Sequence, residues 1–258
     1  GPRENLARPA IDPLLRSVGL SHGSRAIGVV LTGMLNDGAA GLADLKRCGG
    51  VTVVQNPIEA REREMPLAAL AASDVDYQTP LAGLGDLLGM LAVEPRDSSP
   101  PPPEDIRLEV EIALGPATGT EEMTRVATPV ALSCPACGGV LSQMKRSPPL
   151  RFRCQVGHGY TADALASEQE GSVDEAMRVA LRIVEERATL TQKMADEARR
   201  GGFRLSAASY ERTSAQSRRH VETLREALQS EQWDRKALGS RGEDVEAEAL
   251  APLSRAEP

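Results

Sequence analysis

The stretch AIGVVLTGMLNDGAAGLADLKR, residues 26–47, decides the fold of the N-terminal part of this sequence. It opens with a short, continuously apolar run bounded by glycine, which is typical of a buried parallel strand. Asp37-Gly38 then marks a turn, and residues 39–47 have helical character up to a glycine pair. This strand–turn–helix order predicts one unit of a parallel α/β sheet.

The segments around this stretch continue the alternation of helix and strand. Two or three strands are few for a free-standing open sheet. We therefore predict that residues 1–93 form a partial doubly wound parallel sheet, either a very small domain or the C-terminal half of a larger one. The other strands are predicted at 51–55 and 75–79, and the other helices at 11–18, 65–72 and 81–91.

Composition excludes several classes of function for the 258-residue chain. The hydrophobic fraction of 41% and charged fraction of 26% are ordinary for a globular protein. Aromatic residues make up only 2%, which argues against base stacking on aromatic platforms. The net charge of −7 is opposite to a DNA-binding footprint. No apolar run reaches the ~18 residues of a membrane span and no secretory signal opens the sequence, so we expect a cytoplasmic protein.

The remainder of the chain changes character after residue 93. Four successive prolines at 100–103 favour an extended conformation and predict a semi-rigid linker, and the weakly patterned residues 106–130 are expected to be mostly extended or disordered. A capping box at Ser172 and a Gly201-Gly202 turn predict two antiparallel helices over residues 172–229. We expect their apolar stripe to pack internally or against the ribbon, and an exposed stripe would instead be a contact surface for a partner or a second copy. The predicted boundaries are a Pro-rich linker at 94–130, a zinc ribbon at 131–165, a helical hairpin at 170–230 and a disordered tail at 231–258.

The sequence contains one metal-binding pattern, C-x2-C-x16-C-x3-H, formed by Cys134, Cys137, Cys154 and His158. Three thiolates and an imidazole at this spacing suit tetrahedral zinc, and four protein ligands predict one structural zinc ion. The segments between the ligand pairs would form a short hairpin, as in a zinc ribbon. A redox C-x-x-C is the alternative, but it favours a thioredoxin-like βαβ context that is absent here.

Residues 1–92 resemble the C-terminal half of the catalytic domain of CheB, the chemotaxis protein-glutamate methylesterase. The resemblance rests on GPREN at the start, LTGMLNDGAAGL at 31–42, GGVTVVQNP at 49–57 and Met65-Pro66. The ribbon and helices are similar to an extension carried by some standalone members of that family. This resemblance implies hydrolysis of glutamate γ-methyl esters on chemoreceptor helices by a Ser-His-Asp triad.

The resemblance implies that Asp37 is the triad aspartate, which orients the catalytic imidazole, and that Met34 lies beside the substrate site. The family's Ser and His segments lie upstream of GPREN and do not occur in this sequence, so we expect the chain alone to be inactive. A literal G-x-S-x-G at 19–23 is preceded by a predicted helix and followed by a strand, the reverse of a nucleophile elbow.

Two other classes of function remain open. A non-catalytic signalling protein would use the ribbon and helices to bind a partner. A nucleic-acid binder would use the ribbon's basic residues, although such charges are more often a solvated surface. These residues are Lys145, Arg146, Arg151 and Arg153.

Overall fold

A computed structural model describes residues 1–95, 98–114, 120–146 and 148–250, with side chains described as far as 230 except at 120 and 122. The chain divides into two compact units, Gly1–Gln169 and Glu170–Pro258. Within the described residues, no helix is both long enough and apolar enough to cross a membrane.

The first unit begins with a three-stranded sheet in the order β1-β2-β3, and both strand pairs are parallel. This arrangement confirms the parallel α/β prediction. Because side chains alternate across a strand, Val30 and Val54 pack towards α1, α2 and α3, whereas Val53 packs towards α4 on the opposite face. The elements are α1 (Ile11–His22), β1 (Ile27–Val30), α2 (Ala39–Arg47), β2 (Val51–Gln55), α3 (Glu64–Ala72), β3 (Tyr77–Thr79) and α4 (Leu81–Val93).

An antiparallel sheet of four strands, β4-β5-β6-β7, follows in the same unit. The predicted ribbon hairpin is present as β5 and β6. The expectation that residues 106–130 are mostly extended or disordered is wrong, because the described part of that range contains α5 and α6. Leu108, Ile112 and Met123 are buried together, so these short helices owe their stability to tertiary packing. The elements are α5 (Glu104–Leu114), α6 (Thr120–Val126), β4 (Ala127–Ser133), β5 (Val140–Met144), β6 (Arg151–Cys154) and β7 (Gly159–Thr161).

Buried ion pairs connect the two sheets of the first unit. Arg16 on α1 lies 3.2 Å from Glu4 and 2.9 Å from Asp44 on α2. Arg151 on β6 lies 2.9 Å from Glu109 on α5 and 3.4 Å from Asp44. The Pro-rich linker predicted at 94–130 therefore does not keep residues 1–92 apart from the predicted ribbon. We call this set the ion cluster; its members are Glu4, Arg16, Asp44, Glu109, Arg151 and Arg153.

Two long helices, α7 (Ala162–Arg200) and α8 (Arg204–Leu250), follow and are joined by the predicted glycine turn. Ser172 lies inside α7 and does not cap it, because the helix begins ten residues earlier, where the Thr161 hydroxyl accepts the Ala164 N–H at 3.3 Å. The predicted tail at 231–258 is helical as far as Leu250, and residues 251–258 lie outside the described residues.

Within the second unit, several small side chains of α7 and α8 are buried. Ala188, Ala195, Ala207 and Ser214 are buried, and the Ser214 hydroxyl donates to the Ala188 carbonyl at 3.0 Å. The predicted stripe thus packs internally in part. Val173 and Met194 of that stripe remain 50% and 37% exposed.

Candidate active-site loop and metal centre

The loop after β1 carries the predicted active-site residues. It runs from Leu31 to Gly38 and leads directly into α2, whose N-cap is Gly38 at φ 98°. A loop at the carboxyl end of a parallel strand is where open α/β sheets place their ligand sites. Asp37 is 9% exposed, whereas Met34 is 64% exposed.

Asp37 and Asp12 stabilise the start of each other's helix. The two carboxylate oxygens of Asp37 accept the N–H groups of Ile11 and Asp12, at 2.8 and 3.1 Å, in the first turn of α1. Asp12 Oδ1 in turn accepts the N–H groups of Gly38 and Gly41, at 2.9 and 2.6 Å, at the start of α2. Each carboxylate satisfies N–H groups that have no partner inside their own helix, so Asp37 is held in a defined orientation.

Burial makes both carboxyl groups harder to ionise. Burial raises the pKa of Asp37, and the N–H groups of Ile11 and Asp12 oppose that rise. Burial also raises the pKa of Asp12, to about 7, against the opposing charge of Arg16 and the Gly41 N–H. A carboxylate with restricted solvation and fixed donors is suited to orienting a charged imidazole.

The two residues between Met34 and Asp37, Leu35 and Asn36, are held by hydrogen bonds to distant elements. Leu35 has φ 63°, in the left-handed region that a leucine rarely adopts, and its N–H donates to the Glu64 carboxylate. The Asn36 amide nitrogen donates to the Thr161 hydroxyl on β7 at 2.6 Å. The loop is thus fixed by contacts from α3 and from the antiparallel sheet.

The four predicted metal ligands converge at one place. Their donor atoms, Cys134 Sγ, Cys137 Sγ, Cys154 Sγ and one imidazole nitrogen of His158, all lie within 4.8 Å of one another. His158 Nδ1 lies 3.7 Å from Cys134 Sγ and 3.5 Å from Cys154 Sγ, and the sulfurs of Cys137 and Cys154 are 3.7 Å apart. A tetrahedron with bonds of ~2.3 Å to sulfur and ~2.1 Å to nitrogen has edges of about 3.6–3.8 Å. The donors therefore fit a single tetrahedral ion.

Two glycine turns with matching hydrogen bonds present these ligands. In the first, the Gly138 N–H donates to the Cys134 carbonyl at 2.8 Å, with Gly138 at φ 71°. In the second, the Gly157 N–H donates to the Cys154 carbonyl at 2.9 Å, with Gly157 at φ 100°. Positive φ at both positions explains why the local sequence contains glycine there. Burial raises the pKa of Cys154 to about 11, so a metal ion has to displace its proton.

The structure contradicts the basic surface considered for nucleic-acid binding. Arg151 and Arg153 are only 5% and 2% exposed, and both belong to the ion cluster. Lys145 donates to the Thr124 carbonyl at 2.7 Å. The four basic residues therefore do not form one solvated face.

The G-x-S-x-G string at 19–23 is not a nucleophile elbow. Ser21 and His22 lie in the last turn of α1, which leads through a short turn into the amino end of β1. Asp37 follows the opposite, carboxyl end of that strand. This placement agrees with the reversed order expected from the sequence.

The sequence containing this loop has known relatives. Residues 1–88 match the CheB methylesterase family model. A putative protein-glutamate methylesterase/protein-glutamine glutaminase of Leptospira interrogans is 41% identical over 87 residues, which cover 34% of this chain and 45% of the relative. A protein-glutamate methylesterase/protein-glutamine glutaminase of Bdellovibrio bacteriovorus is 46% identical over 92 residues, which cover 35% of this chain and 26% of the relative. The Yersinia pestis protein is 46% identical over 76 residues, covering 30% and 22%.

The chain therefore spans less than half the length of these curated relatives. The CheB methylesterase match runs from the N-terminus into α4 and includes Asp37. The metal ligands and long helices lie outside it.

Three residues around the Asp37 loop were not predicted from the sequence. The sequence motifs indicate no role for Asp12 or Thr161, and Asn5 occurs among them only as the last residue of GPREN. Asn5 accepts the Thr161 N–H at 2.9 Å and donates to Asp12 at 2.7 Å. No local pattern could have found these contacts, because they join residues up to 156 positions apart.

Proposed function

We propose that residues 1–88 supply the aspartate-bearing part of a protein-glutamate methylesterase active site. The observation that carries this proposal is the position of Asp37, whose carboxylate is fixed by two N–H groups at the carboxyl end of β1. Its segment matches the CheB methylesterase model, and relatives named protein-glutamate methylesterase match this chain over a stretch of similar length.

In this proposal, Asp37 works with a serine and a histidine. Both would come from the part of the relatives' fold that lies outside their match to this chain. The serine oxygen attacks the γ-ester carbonyl while the histidine takes the serine proton and passes it to the departing methoxide, which leaves as methanol. Water, whose proton the same histidine takes and returns to the serine, then attacks the acyl-enzyme carbonyl and releases the glutamate. Asp37 accepts the imidazole N–H and stabilises its charged form. A carboxylate has about four acceptor positions, so its two amide bonds leave room for this contact.

The proposed substrates are methylated glutamates on chemoreceptor helices, and the proposed setting is bacterial chemosensory signalling in the cytoplasm. Met34, with 64% of its surface exposed, lies three residues before Asp37 and is proposed to contact that substrate. The catalytic class is carboxylic ester hydrolase.

The test is a fusion in which the part of the Bdellovibrio bacteriovorus relative that precedes its matched segment is joined to Gly1. Methanol release from methylated chemoreceptor should appear in the fusion and be absent from the 258-residue chain. Asp37→Asn should lower kcat by about 10³–10⁴-fold, because it removes the acceptor that fixes the imidazole tautomer. Asp86→Asn, at an exposed carboxylate on α4, should leave kcat unchanged.

Two results would contradict the proposal: a folded fusion without activity, or activity that survives Asp37→Asn. The second candidate function, a non-catalytic interaction protein, would then lead. It is favoured by Ile183 and Leu190, which lie seven residues apart on α7 and are 53% and 59% exposed.

We also propose that Cys134, Cys137, Cys154 and His158 hold one structural zinc ion. The donor chemistry and the distances near those of a tetrahedron support this assignment. Four protein ligands leave no open position for substrate, so the ion would stabilise the two glycine turns and the sheet beside them.

Elemental analysis of protein purified without added metal should find about one equivalent of zinc per chain. Cys134→Ser should abolish it, whereas Cys48→Ala, at a buried cysteine outside the cluster, should retain it. Loss of the zinc ion should also increase amide hydrogen exchange in α1 and α2, because the buried ion pairs of the ion cluster join these helices to β6. Metal-free protein with an intact antiparallel sheet would refute the assignment.

A further inference from the structure

The antiparallel sheet contacts the Asp37 loop through its last strand. The buried Asn36 amide donates to the Thr161 hydroxyl on β7 at 2.6 Å, across 125 positions of sequence. Asn36 Oδ1 is buried without a hydrogen-bond partner among the described residues. The bond to Thr161 therefore anchors the side chain immediately before Asp37.

A second series of hydrogen bonds connects Thr161 to Gly38, the residue that follows Asp37. The Thr161 N–H donates to Asn5 Oδ1 at 2.9 Å, and Asn5 Nδ2 donates to Asp12 Oδ2 at 2.7 Å. Asp12 in turn accepts the Gly38 N–H at 2.9 Å. Thr161 is thus connected to the residues on both sides of Asp37.

The backbone of β7 secures this arrangement. The Asn5 N–H donates to the Gly159 carbonyl at 2.9 Å, and the Gly159 N–H donates to the Arg3 carbonyl at 3.1 Å. Gly159 directly follows His158, a member of the metal-ligand cluster. The glycine turn, β7 and the Asp37 loop therefore form one continuous set of contacts.

We infer that Thr161 is a positioning residue for Asp37, through which the antiparallel sheet holds the active-site loop in its working geometry. The inference rests on the proposed methylesterase function for its catalytic meaning. It assigns the C-terminal sheet a role in the site, although the family match ends before that sheet begins.

The Thr161 hydroxyl also caps α7 by accepting the Ala164 N–H at 3.3 Å, so a single substitution would mix two effects. Asn36→Ala removes the contact to the loop and leaves the cap intact. A double-mutant cycle of Thr161→Val and Asn36→Ala therefore isolates the loop contact from the cap.

The experiment measures amide hydrogen exchange by NMR in the full 258-residue chain. The reporters are the N–H groups of Ile11 and Asp12, which donate to Asp37. Thr161→Val and Asn36→Ala should each speed their exchange on the order of tenfold, the size expected for a lost buried hydrogen bond. The double variant should add little further, and Thr161→Ser should restore slow exchange. Thr189→Val, which removes a hydroxyl bonded to the Glu185 carbonyl within α7, should have no effect.

The same variants in the fusion esterase should lower kcat with little change in KM, and Thr161→Ser should recover it. Unchanged exchange at Ile11 and Asp12 in folded Asn36→Ala protein would overturn the inference. This result is decisive even if the Thr161→Val variant does not fold. Additive effects of the two substitutions would also overturn it. An inactive wild-type fusion with the exchange coupling intact would instead refute the proposed function and leave the positioning role standing.

Discussion

At the scale of single residues, the most informative feature is the exchange of helix caps between Asp12 and Asp37. Each carboxylate satisfies N–H groups at the start of the other's helix, so the two side chains fix the relative position of α1 and α2. Both are buried beside other acids, and this raises the pKa of each. The loop is therefore held by groups whose charge depends on pH.

The raised pKa of Asp12 predicts a pH dependence of stability. Burial moves it from 3.8 to about 7, so the folded protein binds a proton that the unfolded chain has released. The stabilisation from this proton is complete below pH ~4 and is lost as pH rises through about 7. Relative to Asp12→Asn, the wild type should lose stability over that range, with a slope of at most about 1.4 kcal/mol per pH unit.

Urea unfolding at pH values from 4 to 8 measures this difference. The exposed variant Asp86→Asn serves as the reference and should follow the wild type at every pH. A pH-independent difference between wild type and Asp12→Asn would show that Asp12 is ionised throughout.

At the scale of elements, α7 and α8 approach each other over small side chains. Ala195 has no exposed surface, and Ser214 is 1% exposed. Ion pairs such as Arg225 with Glu185 lie at the edges of this contact and are more than a third exposed, so they contribute little. Close packing at these small residues therefore contributes to the stability of this unit.

Enlarging one of these small residues should destabilise the helical pair. Ala195→Leu inserts three carbons where no space is open and should cost about 1–3 kcal/mol. Thermal unfolding followed by circular dichroism checks the change. Ala215→Leu, at an exposed position of α8, should leave the midpoint nearly unchanged. Equal behaviour of the two variants would mean that the helices do not pack through Ala195.

At the scale of the whole molecule, the ion cluster makes the first unit one body. It has three arginines and three acids, and each of the six is at most 5% exposed. Burial by itself would raise the pKa of Glu109. The positive charges of Arg151, Arg16 and Arg153 have the larger effect, and they hold this pKa well below its usual value. Removing one member of the ion cluster should destabilise the folded state, because a buried charge without its partner raises the free energy of that state.

Glu109→Gln should therefore destabilise the first unit by about 3–5 kcal/mol, since it leaves a surplus arginine charge in the interior. The free energy of unfolding in urea measures this loss. Glu111→Gln, two residues along α5 and exposed, is the matched control and should change stability by less than about 0.5 kcal/mol. A small effect of Glu109→Gln would mean that water reaches the cluster.

The sequence by itself determined the local units. Apolar runs bounded by glycine placed the parallel strands, ligand spacing identified the cluster of three cysteines and one histidine, and Gly201-Gly202 marked the helical turn. These features depend on neighbours within a few residues, and hydrophobic periodicity or turn chemistry reports them directly.

Only the tertiary structure decided how these units are joined. Arg151 and Arg153 look like surface charges in sequence, yet they are buried because Glu4 and Glu109 reach them from distant segments. Residues 106–130 lack a strong pattern, yet α5 and α6 form there because Ile112 and Met123 are buried in one cluster. Thr161 has no motif, yet it contacts the loop that carries Asp37. Each outcome depends on partners far apart in the chain, whose free energy of interaction exists only once the chain has folded.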